Sequence, residues 1–376
     1  MKFSTDRGTL LKALSMVAGV VERPQQTQGI LPVLSHLLFN CDDQGLSITG
    51  TDLEVELNVR ISEGVEVEQP GRATVPGRKL AEIWRSLPED APVSVETGDQ
   101  ATVRSGRSRF QLATLPEEEY PSVDTGGEGE TRLSVAPGDL RRLMDRTSFA
   151  MAQQDVRYYL NGLLFEVTES HIRTVATDGH RLAMCTLPGG AQGAERVQVI
   201  VPRKGVVELG RLLADAEDSV EISLGMNYLR AENSGYTLTT KLVEGKFPDY
   251  ATVIPSAGER QLSGSRETLR QSFLRAAIIG SDQRRVAPLV RLKIEEDRLV
   301  VTANNAETQE EAEEEVPVDY QGDAFEIGFN VDYLQDVLGV VDTEDVRISI
   351  SDGGGSALIE TGDSEESVFV VMPMRL

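Results

Sequence analysis

Residues 51–59 read TDLEVELNV, residues 177–185 read TDGHRLAMC and residues 303–311 read ANNAETQEE. Each stretch follows a short β-like run (GLSITG, HIRTVA and RLVVT), and the spacing from Asp52 to Asp178 to Asn304 is 126 residues both times. A period this long and this regular implies three copies of one structural unit.

Working outward from these anchors, each unit opens on apolar residues spaced three and four apart. They are Leu10, Leu11, Leu14, Val17 and Val21, then Leu140, Leu143 and Met144, then Leu269, Phe273, Leu274 and Ala277. Such spacing places them on one helical face. An apolar strand follows in LPVLSHLLFNC, YYLNGLLFEV and VAPLVRLKIEE, with Gly or Asp turn signals after it. A second helix comes in VPGRKLAEIWRSL, VPRKGVVELGRLLA and FNVDYLQDVLGVV, and then alternating strands such as VSVETG, VEISLG and VRISISDGG. The fold class is α+β, each unit carrying two helices on antiparallel β-sheets. Periodicity breaks in TGGEGETRL and near FPDYATVIPSAGERQL, which divides the chain into 1–128, 129–253 and 254–376.

Bulk properties agree with several domains, since 376 residues exceed what one hydrophobic core usually serves. With 40% hydrophobic and 26% charged residues the chain belongs with packed globular proteins and not with disordered ones. The opening MKFSTDRGTL lacks a basic stretch leading into an apolar one, and no 18 apolar residues run together, so the expected place is the cytoplasm, unanchored. Cys41 and Cys185 each stand alone in apolar stretches; buried, reduced thiols are expected, with no metal site, cofactor or disulfide framework.

Charge poses the puzzle. A net charge of −24 repels phosphates on average. Yet 14 of the 37 basic residues, and only 7 of the 61 acidic ones, fall on six helical segments (7–21, 78–87, 137–151, 202–214, 265–280 and 330–341). Positive charge is concentrated on helices and negative charge on strands and loops. If the helices share one surface, Arg141, Arg142, Arg146, Arg203, Lys204, Arg270 and Arg275 line a basic path that holds phosphates without reading sequence. A merely solvated basic helix face is the plainer alternative.

At this point the residues resemble a known family. MKF, SITGTDLEVEL, VRSGRSRFQLATLP, QDVRYYLNGLLFE, RTVATDGHRLA, VIVPRKGVVEL, KLVEGKFPDY, VTANNAETQEEAEE and VVMPMRL occur in the order found in the β subunit of bacterial DNA polymerase III, the sliding clamps, over essentially the whole chain. The resemblance implies a DNA-clamp fold in three copies, and a head-to-tail homodimer forming a ring with helices inside and sheets outside. It also implies a processivity factor in DNA replication with no catalytic role. Implied partners are duplex DNA, bound without sequence preference, a second copy of the chain, the polymerase III α subunit, the clamp loader, and other polymerases and repair proteins.

The resemblance also carries residues over. A partner pocket between the second and third domains, receiving a short extended peptide with a Gln and a Leu/Phe pair, is expected to comprise Tyr159, Leu160, Thr177, Gly179, His180, Arg181, Leu182, Pro248, Val253, Ser356, Val370, Val371, Met372, Pro373, Met374 and Arg375, with Leu376 nearby. Flexible methionines suit a site shared by many clients. DNA contacts are expected at Arg23, Arg78, Lys79, Gln154, Tyr158, Tyr159, Arg203 and Lys204. The dimer contact is expected to set Phe110 and Leu112 against Ile278 and Ile279, with Arg107 and Arg109 facing Glu310, Glu311, Glu313 and Glu314. Two departures stand out: Thr252, where some relatives have a basic residue, and ERPQQTQGILP, which lengthens the loop after Arg23.

Two other classes compete. For an enzyme, His36, His171 and His180 are scattered, and HExxH, GxxxxGK[ST] and GxSxG are all missing. A protein-only repeat scaffold would keep the three units but make the basic helices irrelevant to DNA.

Overall fold

The computed structural model describes every residue except 22–30, 90, 124–129, 215, 257, 259, 281–288, 306–307, 352–354 and 362–363. Among these residues six helices form: α1 (Arg7–Val17), α2 (Gly77–Ser86), α3 (Pro137–Asp145), α4 (Arg203–Leu213), α5 (Arg266–Gly280) and α6 (Val331–Val340). The α1 start is set by Asp6, whose carboxylate accepts from the Thr9 N–H at 2.7 Å and the Thr9 hydroxyl at 2.8 Å. Asn330 caps α6 in the same way, accepting from the Asp332 N–H at 2.9 Å.

Two helices stop earlier than their apolar spacing suggests. α1 closes at Val17, where the Val20 N–H bonds the Val17 carbonyl at 3.1 Å in a tight turn. Beyond α3, the Thr147 hydroxyl turns back onto the Leu143 carbonyl at 2.6 Å, and a 3-10 turn, Ser148–Ala150, replaces further helix. Two expected strands also begin late. Pro32–Ser35 and Tyr158–Leu160 are 3-10 turns that lead into the strands His36–Asp42 and Gly162–Val167. Pro32 lacks an N–H for a ladder, and the Asn161 side chain closes the second turn by bonding both the N–H and the carbonyl of Asp155 at 2.9 Å.

The described residues form two compact units, Met1–Leu140 with Lys204–Leu242, and Arg141–Arg203 with Val243–Leu376. In the first unit an eight-stranded antiparallel sheet takes strands from two repeats, joined where Tyr236–Lys241 pairs with Val55–Ile61 in the register Leu238↔Leu57. A five-stranded sheet ends at Ser108–Ala113. Here Phe3 stacks on Phe39 with centroids 6.3 Å apart. Fully buried Trp84 donates to the Arg7 carbonyl at 3.2 Å while Arg7 Nε donates to the Trp84 carbonyl at 3.1 Å, tying α1 to α2. Gly50 lets α1 approach its sheet, since a Cβ there would stand 2.6 Å from Val17 Cγ1.

The second unit repeats this plan. Its nine-stranded sheet is joined where Arg181–Pro188 pairs with Ser364–Val371 in the register Leu182↔Val370. Its four-stranded sheet ends at Glu310–Pro317, and α5 packs on α6, with Gln335 Nε2 donating to the Phe273 carbonyl at 3.2 Å. Cys41 and Cys185 are buried free thiols, as expected.

The 126-residue spacing sets these joints in register with one another. Shifted by that period, Val55–Ile61 falls on Arg181–Pro188 and then on the start of Glu310–Pro317. Shifted back by the same amount, Tyr236–Lys241 covers 110–115 and overlaps Ser108–Ala113. The first two strands of one kind are each paired to a strand of the other kind. Glu310–Pro317 and Ser108–Ala113 are the two left at sheet edges among the described residues.

Candidate functional site

Around the second joint an apolar cluster forms on one sheet face. Leu182 lies opposite Val370, and Leu358 lies opposite Val370 from the other side. With them cluster Leu160, Val175 and Val368, and Tyr159 packs against the margin. The segment 247–254 settles on this face through Phe247, Tyr250 and Ile254, leaving Pro248 and Val253 exposed, Val253 at 38%. Ser356, half-buried, stands just before the strand Ala357–Thr361.

The chain end is fastened beside this cluster and not frayed. The Met372 N–H donates to the His180 carbonyl and the Met374 N–H to the Gly328 carbonyl, both at 2.8 Å. Met372 and Arg375 are exposed, and Pro373 and Met374 half-buried. A Cβ at Gly328 would stand 2.8 Å from Leu376 Cδ2.

The TDGHR motif makes the turn that receives this end. Asp178 accepts from the N–H groups of His180 at 2.9 Å and Arg181 at 3.0 Å, and the Thr177 hydroxyl donates to the Arg181 carbonyl at 2.6 Å. Gly179 adopts φ 89°, which a side chain would strain. Arg181 and Val371 do not share the pocket face: they pair with each other, alternate with Leu182 and Val370, and so point to the opposite side. There Arg181 is bound to Asp336 and to the Phe149 carbonyl (2.9 Å), with its guanidinium 4.5 Å from the Tyr333 ring centre. Tyr333 also stacks on His180, centroids 6.4 Å apart. The sequence reading missed Tyr333, whose only signal is an aromatic among polar neighbours on α6.

It missed Glu166 as well. This carboxylate is 1% exposed and accepts from Tyr250 Oη (2.9 Å), Arg196 Nε (2.8 Å) and Gln198 Nε2 (2.7 Å), with His171 Nε2 at 3.1 Å. Burial alone pushes the carboxyl up, but the hydrogen bonds from His171, Arg196, Tyr250 and Gln198 together hold it below its ordinary value of 4.5. Through Tyr250, the network fixes the segment that bears Pro248 and Val253.

On the edge strand Ser108–Ala113, half-buried Phe110 and Leu112 alternate with exposed Arg109, and Arg107 is exposed in the preceding turn. On the other edge, Glu310, Glu311 and Glu313 are exposed, while Glu314 is drawn to Arg275 at 2.5 Å within the chain. Neighbouring α5 presents Ile278, 68% exposed, with Ile279 half-buried. Leu274, expected on the buried face, is 37% exposed instead, because Leu269, Phe273 and Ala276 supply the buried stripe.

The expected DNA contacts divide into exposed and committed ones. Lys79 and Gln154 are exposed and Tyr158 is 57% exposed, its ring 5.8 Å from that of Tyr159 in an edge contact. Arg78 donates to the Val21 carbonyl at 3.2 Å, Arg203 to the Met151 carbonyl at 3.4 Å, and Lys204 is paired with Asp52. Arg146 does not belong to a basic path. It is 8% exposed and spent on Asp342 at 2.5 Å and Ser367 Oγ at 2.8 Å. Arg23 lies outside the described residues.

Family models for the DNA polymerase III beta subunit match almost the whole chain: the N-terminal domain over residues 1–124, the central domain over 134–249 and the C-terminal domain over 251–375. The chain belongs to this family. It is accordingly a DNA sliding clamp, a non-catalytic processivity factor of replication. It is 52% identical to the beta sliding clamp of Pseudomonas aeruginosa over 377 residues, with all of both chains covered. Two solved structures also cover it completely and are completely covered. One is a sliding clamp from Pseudomonas aeruginosa bound to griselimycin (51% identity, TM-score 0.92), the other a clamp from Caulobacter crescentus (36%, 0.90). Family membership supports the α+β reading with three clamp domains. No helix among the described residues is long and apolar enough to cross a membrane.

Proposed function

We propose that two copies of this chain, joined head to tail, close a ring of six clamp domains around duplex DNA, with chain divisions near residues 128 and 253. One observation carries this reading: Ser108–Ala113 and Glu310–Pro317, each at the edge of its sheet, are the repeat equivalents of the two strand types already paired inside the chain. Pairing Ser108–Ala113 of one copy with Glu310–Pro317 of the other continues the joint used twice before, and a heterologous contact whose rotation closes makes a ring and not a filament. Phe110 and Leu112 then meet Ile278 and Ile279. Arg107 and Arg109 approach Glu310, Glu311 and Glu313 and set register more than affinity, since exposed ion pairs contribute only ~0–1 kcal/mol each.

The cluster beside the tail serves as the tethering site. Leu182, Val370, Pro248 and Val253 offer an apolar cleft, and Met372 and Met374 adapt to different side chains. Its clients are polymerases, the clamp loader and repair proteins carrying a short peptide with a Gln and a Leu/Phe pair, met in the cytoplasm. A neighbour 51% identical binds the ligand griselimycin, which supports a recognition cleft in this fold. The DNA-facing set is Arg78, Lys79, Gln154, Tyr158, Tyr159, Arg203 and Lys204, together with Arg23.

Deleting residues 372–376 tests both parts at once. Sedimentation is expected to give twice the 41.0 kDa chain mass with and without the tail, while fluorescence titration loses client-peptide binding in the deletion. Single chains before deletion sink the ring; dissociation only after it makes the tail structural.

A further inference from the structure

The repeat sets the two joints side by side, residue for residue. Leu10, Ala13, Leu14 and Val17, buried on α1, match Leu140, Leu143, Met144 and Thr147, buried in and just after α3, and the same step carries Met16 to Arg146. On the strands, Val59 lies opposite Tyr236 at the first joint, and its repeat equivalent Cys185 lies opposite Ser367 at the second. Tyr236 therefore stands where Ser367 stands, and Met16 where Arg146 stands.

The two joints fill this place differently. At the second, Arg146 brings its guanidinium to Ser367 Oγ at 2.8 Å and to Asp342, just beyond α6, at 2.5 Å. At the first, Met16 brings no polar group, and a cavity of about 420 Å³ is lined by Ala13, Met16, Val59, Leu212 and Tyr236. The Tyr236 side chain is 4% exposed, and its hydroxyl has no hydrogen-bond partner among the described residues. Burial pushes this phenol up to about 12, so it stays a neutral hydroxyl able to accept as well as donate. Beyond α4, Glu217 and Asp218 are exposed and also line the cavity. Arg60 alternates with Val59, so its side chain turns to the other sheet face, toward Asp42 at 3.9 Å. Lys12 stands one turn before Met16, as Arg142 stands one turn before Arg146, so a neighbouring cation is compatible with a guanidinium at this place.

We propose that this cavity binds a small organic cation, a guanidinium or alkylammonium head on an apolar stem, which takes at the first joint the place that Arg146 fills at the second. The stem lies over Met16, Val59 and Leu212. The head donates to Tyr236 Oη and is balanced by Glu217 and Asp218. The volume suits such a guest, since small-molecule sites run from roughly 300 to 1,000 Å³.

NMR of the full-length protein, with isotope-labelled methionine methyl groups, tests this with butylguanidinium chloride, and with sodium chloride and butanol as separate controls. The Met16 signal is expected to move and saturate with butylguanidinium alone, while that of Met226, 85% exposed and outside the cavity, stays in place. Tyr236→Phe should weaken this binding about tenfold, the scale of one hydrogen bond to a charged group. Met16→Arg should raise the melting temperature and abolish any further rise on adding butylguanidinium, because its own side chain takes the site. Where Met16→Arg does not fold, the Tyr236→Phe titration decides alone. Met16 and Met226 moving alike would reduce the effect to general attraction toward a chain of net charge −24 and overturn the site. An equal response to butanol, or undiminished affinity in Tyr236→Phe, overturns it as well.

Discussion

Glu166, which no motif singles out, fastens the segment bearing Pro248 and Val253 through Tyr250. Five side chains converge on the Glu166 carboxylate, and it is nearly removed from water. Because its folded carboxyl is held below 4.5, the network's stabilisation is complete above that pH and is lost as pH falls through the lowered folded value. Glu166→Gln removes the charge while keeping the shape, and is expected to cost ~2 kcal/mol near neutral pH, the scale of hydrogen bonds to a charged group. Thermal melts from about pH 7 down to about pH 3 should therefore show the parent losing stability below pH 4.5 more steeply than the variant. Parallel curves would mean that Glu166 is not the titrating group. Peptide affinity should weaken too, since Tyr250 loses the anchor for the segment carrying Val253. Arg146 teaches the converse lesson about single residues. Counting charge on helices could not reveal that this arginine turns inward, because its partners, Asp342 and Ser367, are roughly 200 residues away in sequence.

At the scale of elements, the period from Asp52 to Asn304 made the strand alternation and all six helices legible, because apolar spacing is a property of each element alone. Element ends were less legible, since the Thr147 back-bond and the Pro32 turn depend on single hydrogen bonds. The proposed pocket rests on resemblance in its turn and tail, while the facing of Arg181 and Val371 away from its face follows only from strand register. Edges matter most here. An unpaired strand invites another chain, and the Glu310–Pro317 edge carries five glutamates that discourage indiscriminate pairing while leaving Ile278 as an apolar anchor. Ile278→Glu places a charge where Phe110 and Leu112 would pack, and is expected to yield single chains by sedimentation at micromolar concentration with helix content unchanged. Glu310→Gln, at the rim, should slow association in low salt and scarcely change the final mass. If the two variants behave alike, the contact is not organised around its apolar residues.

For the whole molecule the decisive number is the net charge of −24, which argues against adhesion to a polyanion. Several basic side chains are also committed within the chain, as with Lys204 to Asp52 and Arg275 to Glu314. Phosphate contacts from the remainder weaken steeply with salt, so grip alone would not keep the protein on DNA through replication. Linkage would, because a closed ring leaves only by opening or by reaching an end. Loaded onto a nicked circular plasmid by a clamp loader and passed through gel filtration in high salt, the protein is expected to elute with the circle. Cutting the plasmid once should release it at the same salt concentration. A protein-only scaffold predicts equal loss from both forms, and adhesion predicts equal retention that falls with salt. Only encirclement makes a single double-strand break in the DNA, far from any contact, decide whether the protein stays.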